Sequence, residues 1–242
     1  MKKTLLITIA ALTCACMTGC KPKLLFKEYI DEEIDIYRET DVVDKTITLR
    51  FYKNYDDVPY VKFSSYMKEF YSANLSLIND GSKYRYETKG NQFIEFDANE
   101  DAITFSDFTE FGNYFSNESS YENLFIRLVD TEYTERKPRT LSLKKYNIDI
   151  KEANNEAYVP VSLLSKLIGG IGCLDVAYNG KALYVIDMAE TLTPYERGVD
   201  YYGSKYNKKL NNLFERRGKK TAEYCYNELC FVFDNLRGET TQ

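Results

Sequence analysis

Histidine is absent from the 242-residue sequence. Its absence removes the Ser–His–Asp triad, the Cys–His pair and every His-ligated zinc site. No C-x-x-C spacing occurs either, so a structural thiolate metal site has no support. Beyond the first twenty residues no run is apolar enough to span a bilayer. Positive charge is in deficit: the net charge is −5 and the pI about 5.1, which argues against nucleic acid as a partner. Tryptophan is missing, but Tyr (22) and Phe (14) are plentiful and suit aromatic-rich strands. With 44% hydrophobic and 29% charged residues, the composition is that of an ordinary globular chain with one or two small domains.

The first segment reads as an address. Lys2 and Lys3 precede an apolar core from Leu5 to Leu12 and then small residues, the pattern of a secretory signal peptide. Met17-Thr18-Gly19-Cys20 resembles the bacterial lipobox, which implies cleavage after residue 19 and a diacylglyceryl group on Cys20. Each buried methylene contributes about 0.8 kcal/mol, so two or three acyl chains anchor stably where one does not. The expected location is the cell envelope, on the extracytoplasmic side of a bacterial membrane, with membrane lipid the first partner. Cys173, Cys225 and Cys230 remain beyond the anchor, an odd number. Cys225 and Cys230 lie five apart in a helical pattern and point away from each other, so a bridge between them is not expected and they read as small buried apolar residues.

Residues 20–44 form a polar leader rich in Glu and Asp. A first α+β module is expected over 45–135. Thr46 to Phe51 alternates as a half-buried strand. Asp57-Val58-Pro59-Tyr60-Val61 makes a corner, and Phe63, Met67, Phe70 and Tyr71 fall at helical spacing behind Ser64 or Ser65 as N-cap. Runs 84–87 and 93–96 then read as a hairpin around Lys89-Gly90-Asn91, followed by a run at 102–105. A second module is expected over 136–190. Short strands at 141–143 and 148–150 precede Ala157-Tyr158-Val159-Pro160-Val161, a helix from Ser162 to Ile168, and a hairpin closed by Asn179-Gly180. Each unit would bury one sheet face under its own helix, giving an α+β fold of two sheet-plus-helix repeats.

Residues 191–242 read as a helical hairpin. The first helix carries Val199, Tyr202, Tyr206, Leu210, Leu213 and Phe214, and ends at Gly218. The second is capped by Thr221, with Ala222, Tyr226, Leu229, Cys230 and Phe233 as its apolar stripe and Gly238 as its stop.

Two resemblances follow. Ala157 to Leu164, Tyr178 to Lys181 and Tyr184 to Asp187 together resemble the copper-amine-oxidase N-terminal-like domain, an extracellular module that is not itself a copper site. Asp57 to Thr104 resembles it more loosely. The resemblance implies a fold and almost nothing about function. Tyr226 to Gly238 resembles the lead-in helix of tail-specific (carboxy-terminal-processing) serine peptidases, whose Ser nucleophile and Lys base lie in a downstream catalytic domain. The sequence stops four residues after Gly238, and no residue here matches that nucleophile or base.

The remaining motifs carry little. Ser65-Tyr66-Met67-Lys68 and Ser142-Leu143-Lys144-Lys145 fit S-x-x-K, but the S-D-N and K-T-G partners are missing. Asp97-Ala98-Asn99-Glu100-Asp101 begins like a calcium loop, yet Ala102 and Phe108 stand where Gly and Glu belong, so a solvated turn is favoured. Gly169-Gly170-Ile171-Gly172 reads as a helix stop rather than a phosphate cradle. Lys205, Lys208, Lys209, Arg216, Arg217, Lys219 and Lys220 form a locally basic stretch that could touch anionic lipid or wall polymer, with a solvated helix face favoured. Tyr52, Tyr55, Tyr60 and Tyr66 are candidates for a glycan or peptide platform.

The sequence therefore implies an anchored, non-catalytic binding or positioning region related to tail-specific peptidases, with no catalytic residues, metal or cofactor. A protein, peptide or cell-wall polymer is the expected ligand, and a free-standing adhesion or polymer-binding protein is the alternative. Replacing Cys20 by Ser is expected to abolish labelling by an alkyne fatty acid. It should also move the chain from the detergent to the aqueous phase on partition, whereas persistent labelling would place the lipid elsewhere.

Overall fold

A computed structural model of the chain describes residues 28–38, 43–55, 57–107, 110–111, 138–169, 174–187 and 219–236. The signal segment, Cys20, Cys173, the helix expected before Gly218 and most of the basic stretch lie outside the described residues.

The architecture is α+β, with two sheets. Strands β1 (Tyr29–Arg38), β2 (Val43–Tyr52) and β3 (Pro59–Lys62) lead into helix α1 (Phe63–Tyr71). Strands β4 (Ser76–Asp80), β5 (Lys83–Glu87), β6 (Phe93–Asp97) and β7 (Ala102–Phe105) follow, then β8 (Arg139–Ser142), β9 (Lys151–Ala153) and β10 (Glu156–Pro160). Helix α2 (Val161–Leu164) continues as a π-type turn, Ser165–Gly169, before β11 (Leu174–Tyr178) and β12 (Ala182–Asp187). Helix α3 (Lys219–Asn235) comes last. The larger sheet has the order β11-β12-β1-β2-β3-β10-β9, and the smaller runs β4-β5-β6-β7-β8. The β1–β12 pair is parallel and all others are antiparallel.

The two corner sequences lie side by side. β3 pairs with β10 in the register Val61↔Val159 and Tyr60↔Pro160, and each strand runs straight into its helix. The repeat is real in the order of its elements, but the copies do not each own a sheet. The first hairpin, β5–β6, belongs to the smaller sheet, and the second, β11–β12, to the larger. Strand β8, read as part of the second unit, closes the smaller sheet against β7.

The sheets are joined by the aromatic filling and by a carboxylate. Phe63 of α1 packs on Tyr86 and Phe96 of the smaller sheet, with ring centroids 4.7 and 4.8 Å apart. Glu156 of β10 accepts hydrogen bonds from the Tyr86 hydroxyl (2.8 Å) and the Ser64 hydroxyl (2.9 Å), while the Tyr86 oxygen accepts from the Ala157 amide (3.1 Å). A buried polar group costs about 1–3 kcal/mol when left unmade, so these mutual bonds lock the sheets in one relation.

The polar leader needs correction. Residues 29–38 are a central strand, not a linker. Ile34 and Ile36 are buried there, while Asp31, Glu32 and Glu33 are exposed. Asp31 takes both ends of the Arg50 guanidinium at 2.7 and 2.8 Å, and that guanidinium is stacked between the rings of Tyr29 and Tyr158. Burial works against the Arg50 charge, but the hydrogen bonds it donates to Asp31, with further help from Tyr158 and Tyr52, keep its pKa above the ordinary value.

Local details differ too. Lys62 stands at the α1 N-cap without a side-chain cap bond; Ser64 is spent on Glu156 and Ser65 lies within the helix. Residues 148–150 form no strand: a 3-10 turn, Lys144–Tyr146, comes before them and β9 after. Strand β4 was not foreseen.

Arg50→Ala should lower stability by about 2–4 kcal/mol in urea unfolding, since it empties the slot between two rings and removes the two-point contact with Asp31. Arg50→Lys should recover less than half of that loss, because an ammonium cannot make the planar two-point contact.

Candidate functional site

Among the described residues, a cleft of about 430 Å³ lies between α3, the α2 segment and the β11–β12 hairpin. Its walls include Val58, Pro59, Val176 and Ala177, with Tyr178 and Tyr224 as aromatic faces and Asn179, Gly180 and Lys181 at the hairpin turn. Gly180 has φ +84°, the left-handed conformation that an Asn-Gly hairpin turn needs. Asn179 braces that turn by accepting the Lys181 and Ala182 amides on its side-chain oxygen.

Polar groups converge from three elements. The Ser165 hydroxyl donates to Asp175 (2.6 Å) and accepts the Val176 amide (2.8 Å), fixing the α2 segment to β11. Lys166 reaches the same Asp175 at 3.5 Å. From α3, Glu228 is only 8% exposed, and its Oε2 accepts the Ser162 hydroxyl at 2.9 Å. Its Oε1 is buried with no hydrogen-bond donor among the described residues. Burial pushes the Glu228 pKa up to about 7; Ser162 and the Lys166 charge oppose this, and Asp175 adds to it. The Tyr224 hydroxyl is buried one turn earlier, and burial holds its pKa well above the ordinary tyrosine value.

Helix α3 is fastened at both ends. Thr221 donates to Asp57 near its start. Near its end Asp234 accepts the Tyr146 hydroxyl at 2.7 Å, Arg139 donates to the Asn235 carbonyl, and Phe231 packs edge-on against Tyr146. Thr221 is thus a residue of the first helical turn, not a cap.

The inward stripe of this helix also needs correction. Tyr224, Glu228 and Phe231 face the body, and Phe231 is fully buried. Tyr226 and Leu229, assigned inward from the sequence, are 66% and 52% exposed, and Phe233 is exposed as well. A carboxylate on the buried face misdirected the apolar reading, because periodicity treats Glu as a solvent residue. Cys225 and Cys230 are not joined in a disulfide, and both are half-buried rather than buried.

Other sequence candidates do not converge. Tyr60 and Tyr66 are fully buried, and Tyr52 and Tyr55 are half-buried, so the four make no platform. Ser65 and Lys68 share a helix on which Lys68 is exposed, and Lys145 pairs with Asp234 rather than with Ser142. Asp97 is an ordinary turn former, accepting the amides of Asn99 and Glu100. Asp101 ties that turn to the loop beyond β8 by accepting the Ile150 amide at 2.8 Å. Among the described residues no His, Cys, Asp and Glu side chains are grouped to hold a metal. No helix there is long and apolar enough to cross a membrane.

Compared with protein-family models, curated proteins and solved structures, the chain has no match.

Glu228 sets a pH dependence whose sign is definite. Its folded pKa lies above the unfolded one, so between those values the folded state holds a proton that the unfolded state has released. Its contribution to stability is therefore highest below the ordinary carboxylate range. It declines as pH rises toward about 7, by roughly 3 kcal/mol in total. Glu228→Gln should flatten this slope and raise the urea midpoint at pH 8; an unchanged slope would show that Glu228 ionises freely.

Proposed function

We propose that the chain is a lipid-anchored extracytoplasmic protein that binds or positions a protein, peptide or wall polymer at a bacterial membrane surface. In this reading it is related to the N-terminal region of tail-specific serine peptidases, and acts beside a catalytic domain rather than as one. The anchor rests on the signal pattern and on Met17-Thr18-Gly19-Cys20. The observation that carries the binding role is the braced cleft, in which fixed polar groups converge on an apolar wall. The polar groups there are committed to holding the walls in place. Both serine hydroxyls donate to carboxylates, and Lys166 is paired with Asp175 rather than set against a serine. That arrangement favours recognition over nucleophilic attack, which needs a hydroxyl aimed outward with a base behind it.

A photo-crosslinker placed at Lys181, on the cleft rim, should capture a defined envelope component in intact cells. Capture should fall at least tenfold when Ala177→Trp fills the cleft. Equal capture with the cleft filled, or peptide hydrolysis by purified mature chain that Ser162→Ala abolishes, would overturn the reading.

A further inference from the structure

Two buried oxygens of cleft-lining side chains, Glu228 Oε1 and the Tyr224 hydroxyl, have no hydrogen-bond partner among the described residues, and only the first belongs to a group that can carry charge near neutral pH. A buried carboxylate is stable when ionised only if several donors reach it, and an opposite charge is the strongest of these. Glu228 receives a single neutral donor, Ser162, on Oε2, and none of the described residues donates to Oε1. The other acids of the site are engaged. Asp175 takes Ser165 and Lys166, and Asp57 takes Thr221. Lys166 is half-exposed and directed to Asp175, so it does not neutralise Glu228 by contact.

Resting on the binding role proposed above, we propose that the cleft receives a primary ammonium group attached to a small apolar body, with Glu228 as its counter-ion. An ammonium is a compact point charge with three donors, which suits an acceptor already tethered on its other oxygen. Val58, Pro59 and Val176 supply a wall for a short hydrocarbon portion. Two sources share this chemistry: a free alkylamine, and the amino terminus of a short peptide. Lys181, exposed at the hairpin turn on the rim, offers a peptide a second contact, to its carboxylate, that an alkylamine does not use.

Protons follow the ligand. The groups facing Glu228 are Ser162 and Lys166 from the α2 segment, Asp175 from β11 and Tyr224 from its own helix. Of these, only Lys166 is cationic, so an unliganded Glu228 retains its proton in mildly acidic solution. An arriving ammonium displaces that proton to solvent. Binding therefore strengthens as pH rises from 6 to 7, by up to about tenfold; above that an alkylamine keeps its charge, whereas a peptide amino terminus begins to lose its own proton and its binding levels off.

The test uses the mature chain with n-butylamine, the dipeptide Ala-Val and N-acetyl-Ala-Val as probes. Amide shifts of Val176 and Ala177 and calorimetry in buffers of differing ionisation enthalpy are the readouts. The expected result is saturable binding of at least one ammonium probe with proton release at pH 6, and at least tenfold weaker binding of the acetylated peptide. Butylamine alone binding identifies the free amine; dipeptide binding that weakens with Lys181→Ala identifies the peptide terminus. Glu228→Gln, with its fold verified by circular dichroism, should lose both affinity and proton release, and Ser162→Ala should retain proton release. Equal binding of the acetylated peptide at the same amides overturns the ammonium assignment and leaves the binding role standing. No binding of any probe at millimolar concentration also overturns it, while cleft-dependent capture in cells judges the binding role separately.

Discussion

Pairing of β3 with β10 brings residues 61 and 159 into register toward one side of the larger sheet, and the relation between the two units depends on that contact. It closes a loop of nearly a hundred residues, at an entropic cost that grows only slowly with loop length. In return it buries Tyr60, Val61, Ala157 and Val159 completely and starts a helix at each of the two opposite ends of the antiparallel pair. The first unit's hairpin, β5–β6, lies in the smaller sheet. Glu156, at the start of β10, then becomes the natural tie between sheets, because Tyr86 and Ser64 both reach it.

The cleft is a consequence of the same pairing. Placing β10 beside β3 sets Pro59 near the start of α2, and the π-type turn carries Ser165 onto β11. Helix α3 covers one side of that corner and is held by Asp57 at one end and by Tyr146 and Arg139 at the other. Glu228 is buried because it sits midway along a helix fastened at both ends. A charged residue there is costly unless it is neutral or paired, which is why this position carries the functional interest.

Much of the local structure was legible. The hairpin at Asn179-Gly180, the alternating runs at 46–51, 84–87 and 93–96, and the helix beginning near residue 63 all follow period and turn chemistry. Strand β4 was signalled by Asp80-Gly81, whose glycine has φ +64° in the turn to β5, but its fully exposed residues give no apolar alternation. Strand β1 was obscured because an acidic composition reads as a linker, although Ile34 and Ile36 mark a buried face. Its parallel partner β12 is almost 150 residues away, beyond the reach of any local pattern. Glu228 was missed for the same kind of reason: only the docked helix reveals that one carboxylate lies inward while Tyr226 and Leu229 point out.

By itself the sequence determined the class of structure, the absence of histidine chemistry and many of the places where strands turn and helices start. These properties depend on residue type and on spacings shorter than a helical turn or a hairpin. Only the tertiary structure decided that the two units share a sheet, that the acidic leader is a core strand and that a terminal helix buries its glutamate at a cleft. Those outcomes depend on which apolar faces find one another across long stretches of chain, where burial free energy outweighs local preference.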